Sequence, residues 1–139
     1  MAAYRLHGVY ENNYQGKTMK KILIAAIFLL PLQVNAEHMD VIQFKLNDGC
    51  SFEKYMAIVA DFNEWGKAYG YKTKIAYPLQ NDDLTHMYWL GTSANAAAFG
   101  KAWDAWRDAQ GDASSVPAKL QARFSVCETN ISRTGYDIY

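Results

Sequence analysis

Between Asp40 and Ile131 the apolar residues switch between two spacings in a fixed order, and that order restricts the fold more than any other feature of the chain. Val41 to Leu46 alternates, with Ile42, Phe44 and Leu46 on one face and Val41, Gln43 and Lys45 on the other. Asn47-Asp48-Gly49 ends this strand as a turn. Ser51 then stands as an N-cap with Glu53 in the first turn, ahead of Phe52, Tyr55, Met56, Val59 and Phe62 at helical spacing. Gly66 and Tyr69 continue that stripe, and Gly70 stops the helix. Alternation returns from Tyr71 to Leu79, where Pro78 cannot donate to a ladder and confines the strand to an edge or an end. A polar turn, Gln80 to Asp83, leads into a second alternating run from Leu84 to Gly91, so the two runs form a hairpin. Thr92 or Ser93 caps a second helix over 94–109, with Ala98, Phe99, Ala102, Trp106 and Ala109 inward and Trp103 on the flank. After a loop from Asp112 to Val116, Pro117 to Gln121 suits a helical turn. Arg123 to Ile131 reads as the last strand, and 132–139 carries no period and reads as a tail.

The resulting order, β-α-β-β-α-β, is that of an α+β, ferredoxin-like domain: a four-stranded antiparallel sheet with two helices on one face. Two helices cover one side of such a sheet. The hairpin strands are apolar or aromatic on both sides, so the uncovered side is expected to meet a partner or a ligand. Dimerisation through the sheet faces would bury it.

The chain upstream of this domain reads as an export signal. Met19-Lys20-Lys21 is a positive start, and Ile22 to Leu32 is apolar apart from Pro31. Val34-Asn35-Ala36 then ends in small residues at −3 and −1. The apolar run is about 11 residues, short of the ~20 that span a bilayer. Residues 19–36 are therefore expected to be a signal peptide cleaved after Ala36, giving a periplasmic or secreted protein with no membrane association after cleavage. Residues 1–18 lack periodicity and read as an upstream extension rather than the native start, leaving 37–131 as the folded domain.

That division alters the charge. The chain has 14 basic and 14 acidic residues, and without Arg5, Lys17, Lys20, Lys21 and Glu11 the exported part keeps 10 against 13. Phosphate backbones select clustered Lys and Arg, so nucleic acid is not an expected partner. Cys50 and Cys127 both lie in the exported part, where an even count favours a disulfide. Closing a loop of roughly 78 residues would stabilise the fold by ~4 kcal/mol in the chain-entropy model. Two distant cysteines and scattered histidines make no zinc pattern, and no metal or other cofactor is expected.

Five residues stand out as a candidate ligand site. His86, on a strand face beside Tyr88, is the one candidate for a general base, because its ordinary pKa lies near neutrality. Asn63 is a poor mid-helix residue, so its side chain should hold a ligand or a neighbouring carbonyl. Trp65 follows it within one turn, and Tyr77 and Trp89 lie on the hairpin. Trp103 and Trp106 are neighbours on the second helix and read as core, and Asp104 and Asp108 as a solvated face. Hydrolase and phosphate-binding motifs are missing from the sequence: there is no G-x-S-x-G, no H-E-x-x-H and no phosphate-cradling glycine loop.

The runs Leu46-Asn47-Asp48-Gly49-Cys50-Ser51, Asn63-Glu64-Trp65-Gly66, Tyr77-Pro78 and Tyr88-Trp89-Leu90-Gly91 resemble the dimeric α+β barrel superfamily, and within it small exported bacterial members of uncharacterised role. The resemblance spans about 40–131. It implies a homodimer with two sheets face to face and any ligand held between sheet and helices. Some members of that superfamily are monooxygenases or haem-degrading enzymes that place Asn, Trp and His around the cavity, with a His on the second helix. Here that helix offers Lys101, Asp104, Arg107 and Asp108, Gln43 stands where an Asn is wanted, and Trp89 alone carries over. The leading expectation is a small apolar or aromatic ligand in an exported dimer. The alternatives are a cofactor-independent monooxygenase- or isomerase-like enzyme using His86, and a non-catalytic protein-interaction module.

Overall fold

A computed structural model describes residues 36–80 and 83–139 of the chain. The expected upstream extension, 1–18, and the expected signal peptide, 19–36, lie, apart from Ala36, outside the described residues. The elements are β1 (Glu37–Leu46), α1 (Phe52–Gly66), β2 (Lys72–Ala76), β3 (His86–Ser93), α2 (Ala96–Asp108), α3 (Val116–Cys127) and β4 (Glu128–Ile138). The sheet order is β2-β3-β1-β4 with every neighbouring pair antiparallel, which is the ferredoxin-like arrangement.

Local chemistry places each helix. The Ser51 side chain accepts from the Lys54 backbone N–H at 3.2 Å to start α1, and Gly70, at φ 64°, ends the short 3-10 turn that follows it. Asn95, rather than Thr92 or Ser93, caps α2 by accepting from the Ala98 N–H, because β3 continues through Ser93. Ser115 caps α3, and Pro117 sits in its first turn.

The C-terminal third differs from the sequence expectation. Residues 116–127 form a helix in place of a loop end, a short turn and the start of a strand, and the last strand, expected over Arg123 to Ile131, runs over Glu128–Ile138 and so takes in most of the expected tail. Pro117, Leu120, Phe124 and Cys127 are the buried stripe of α3, at steps of three and four. The same segment also alternates around Phe124, Val126 and their polar neighbours, so two periods compete, and packing against α1 selects the helix. β4 shows no apolar period because it is an edge strand, exposed along all but its first residue.

The core lies between one sheet face and the three helices. Phe44, Met87 and Trp89 from the sheet meet Tyr55, Ile58, Val59 and Phe62 of α1 and Leu120 and Phe124 of α3. Ile42, Phe44 and Leu46 do face the helices, and Val41, Gln43 and Lys45 face away. The ring-rich side of the hairpin is the inner side: Tyr71, Met87 and Trp89 are buried. Outward, the paired rows Lys74–Leu90–Val41–Thr134 and Lys72–Thr92–Met39–Tyr136 mix apolar and charged residues. Cys50 and Cys127 are joined as a disulfide with their Cα atoms 5.1 Å apart, tying the β1–α1 loop to the end of α3. Among the described residues no helix is long and apolar enough to cross a membrane.

Candidate ligand-binding cavity

A cavity of about 150 Å³ opens between the inner sheet face and the helices. Trp65 of α1, Trp89 of β3 and Trp103 and Trp106 of α2 line it, and these are all four tryptophans of the chain. Phe62, Phe99 and Phe124 complete the apolar wall. Phe62 is the hub: its ring lies 4.8 Å from Trp89, 5.2 Å from Trp106 and 5.5 Å from Trp65, centroid to centroid. The Trp89 and Trp106 contacts are edge to face, an arrangement held by the ring quadrupoles as well as by burial, and the Trp65 ring is tilted.

The polar side of the cavity is built on β1 and β4. A register shift between Gln43 and Phe44 leaves Ile131 without a partner: Phe44 pairs with Asn130 and Gln43 with Ser132. This bulge resets the alternation, so that Glu128, Asn130 and Arg133 all face the cavity. Arg133 donates from Nε and Nη2 to the two oxygens of Asp40, each at 2.7 Å. That fork is the strongest geometry available to an ion pair, and the Asp40 side chain is 3% exposed. The guanidinium also lies over the Trp103 ring, 4.2 Å from its centroid.

A directed chain of hydrogen bonds ends on the same carboxylate. Trp89 Nε1 donates to the Tyr71 hydroxyl at 2.9 Å, and Tyr71 donates to Asp40 Oδ2 at 3.0 Å. Burial, and then the charge of Asp40, raise the Tyr71 phenol, so it remains a donor through the ordinary pH range. Gly91 makes this contact possible, since a Cβ there would stand 1.8 Å from the Tyr71 oxygen. Removing the cation exposes what the fork does: Arg133→Ala leaves Asp40 buried with Tyr71 as its remaining donor. The expected loss in denaturant unfolding is about 2–3 kcal/mol, below the 3–5 of a fully enclosed pair because the arginine reaches solvent. A loss under 0.5 kcal/mol would show that the pair carries no structural weight.

Glu128 forms the second polar pole. Tyr55, fully buried, donates its hydroxyl to Glu128 Oε2 at 2.5 Å. Burial pushes the Glu128 carboxyl up, and the Tyr55 hydrogen bond works against that rise. Burial, followed by the charge of Glu128, in turn holds the Tyr55 phenol far above its ordinary value.

Of the five residues singled out in the sequence, two line the cavity and three lie elsewhere. Trp65 and Trp89 line the cavity. Asn63 faces β2, where its amide accepts from the Thr73 N–H at 2.8 Å and donates to the Thr73 carbonyl at 3.1 Å. It thereby satisfies both backbone groups of one residue on an edge strand, which accounts for an asparagine in mid-helix. Tyr77 is 54% exposed with its ring edge on Phe52. His86 lies on the outer sheet face, its Nδ1 2.9 Å from Asp83. Asp40, Tyr71, Glu128 and Arg133 belong to no sequence motif that marks a site. A charged Asp40 among the alternating apolar residues of β1 was the one available signal.

Strand order and helix placement define an α+β protein of ferredoxin-like architecture with a ring-walled cavity under its helices. No family model matches the chain, and no curated protein matches it either. Two solved structures are similar to it. One is SnoaB, a cofactor-independent oxygenase from Streptomyces nogalater, with 12% identity over 75% of this chain and 94% of that one, at a TM-score of 0.44. The other is a dimeric protein of unknown function and ferredoxin-like fold from Bacteroides fragilis, with 13% identity over 73% and 96%, at a TM-score of 0.41. Neither carries its activity over to this chain.

Proposed function

We propose that the protein binds a small aromatic molecule in the cavity between its sheet and helices, as an exported homodimeric α+β barrel protein. One observation carries the reading: every tryptophan of the chain converges on a single cavity that holds only a few polar groups. Ligand pockets have this make-up, with apolar and aromatic walls and a few placed polar groups. The volume is that of a cavity able to accept benzene, so the ligand's buried part is one ring with a substituent. Tryptophan emission tests this directly. Benzyl alcohol should shift or quench it saturably, and a linear, unsaturable response would remove the reading.

The rest of the proposal rests on separate grounds. Residues 19–36 have the order of features of a signal peptide with cleavage after Ala36, and the Cys50–Cys127 bond fits an oxidising compartment. The outer sheet face places Met39, Val41, Tyr88 and Leu90 together, flanked by Tyr136 and Ile138 of β4. A second copy laid on this face would cover it. Leu90→Arg, at its centre, is expected to convert a dimer into a folded monomer on size exclusion with light scattering; a monomeric parent protein would refute the dimer.

A further inference from the structure

Two carboxylates border the cavity, and they are treated differently. Asp40 has a guanidinium on both oxygens and a phenol besides. Glu128 has the Tyr55 hydroxyl on one oxygen, and among the described residues no cation compensates it. Its position is nonetheless fixed closely: it follows Cys127, which is fully buried and bonded to Cys50, and it pairs with Leu46 at the end of β1. The Asp40–Arg133 pair is neutral as a unit. An ionised Glu128 therefore leaves the cavity with one net negative charge, part-buried and unpaired, a condition that folding alone does not favour.

The walls have the same preference. Indole and phenyl faces carry negative potential, which attracts cations and repels anions. The cavity already shows this with its own arginine, whose guanidinium rests over Trp103. Asn130 and Gln121, also on the lining, supply neutral polar groups without adding charge.

We propose that the cavity is selective for an organic cation, an ammonium group carried on a ring-sized apolar body, with the positive charge set against Glu128 and the ring among the tryptophans. This rests on the reading that the cavity binds a small aromatic molecule, and it adds the charge of that ligand. The ammonium supplies the missing counterion, and its N–H or N–CH₃ groups meet the free carboxylate oxygen and the ring faces. Neutral ligands of the same size leave the charge uncompensated. Anionic ones add to it.

Three probes of one shape separate the possibilities: benzylamine, cationic at pH 7.5, benzyl alcohol, neutral, and benzoate, anionic. Titrated into the purified protein and followed by tryptophan emission and calorimetry, benzylamine should bind about tenfold more tightly than benzyl alcohol, with benzoate weakest. In Glu128→Gln the amide oxygen still accepts from Tyr55, and the preference should vanish, with benzylamine falling to the affinity of benzyl alcohol for the same variant. Its melting temperature should be equal or higher. The raised carboxyl pKa means that the folded protein loses stability as pH rises and Glu128 ionises, a loss that glutamine escapes. Equal affinity for amine and alcohol would overturn cation selectivity and leave ring binding standing. Binding of none of the three would remove both. A preference that persists in Glu128→Gln would overturn the assignment to Glu128.

Discussion

Phe62→Ala is expected to destabilise the protein by about 3–5 kcal/mol in denaturant unfolding and to abolish saturable ring binding. The size follows from position. Phe62 is 8% exposed, and its ring neighbours Trp65, Tyr71, Trp89, Trp106 and Phe124, which come from α1, the residue just before β2, β3, α2 and α3. Truncation removes the buried ring and enlarges a cavity that already exists, so the neighbours have little to collapse onto. A domain of this size has about 5–15 kcal/mol in total, so the variant should sit close to the edge of folding. Phe62→Leu keeps most of the volume and should lose less than half as much. A loss below 1 kcal/mol for the alanine variant would contradict the hub role.

Removing the disulfide should be comparably severe. The Cys50–Cys127 bond spans a sequence separation of 77, which corresponds to about 4 kcal/mol of unfolded-chain entropy. Its local consequence matters as well: Asn47 donates its backbone N–H to the Cys127 carbonyl and its side-chain amide to the Val126 carbonyl, so the crosslink and these bonds clamp one corner. Glu128 leaves directly from that corner. The paired Cys50→Ala and Cys127→Ala variant is expected to lose about 4 kcal/mol and to bind benzylamine less selectively, since Glu128 is then less firmly aimed. An unchanged unfolding midpoint with and without reductant would refute the first expectation.

Much of the fold could be read from period and punctuation. Ser51 and the stripe through Phe62 give the start and the inner face of α1, Gly70 ends the 3-10 turn that follows it rather than α1 itself, and the alternation around Ile42 and Phe44 gives both the strand and its inward face. What could not be read is where burial was decided by distant partners. The segment 116–127 carries two competing periods, and only its contact with α1 resolves them. β4 has no buried stripe of its own, so nothing local distinguishes it from a tail. That loss propagated to the site. With Arg133 in a tail, Asp40 had no visible partner and Glu128 no visible role, whereas His86 and Tyr77 stood out for residue type alone. The strand bulge at Ile131, which turns Arg133 inward, is a property of the pairing and leaves no mark on the composition.

The proposed ligand, a small ring compound, has its place in the tryptophan-lined cavity. The most direct measurement of this is the indole N–H region of a ¹H–¹⁵N spectrum, where the four tryptophans give four signals. On titration with benzyl alcohol these four are predicted to shift together along one saturable curve, while the Asn63 side-chain amide and the backbone amides of Tyr77 and His86 stay in place. Saturable shifts at Tyr77 and His86 with the indole signals unmoved would place the ligand outside the cavity.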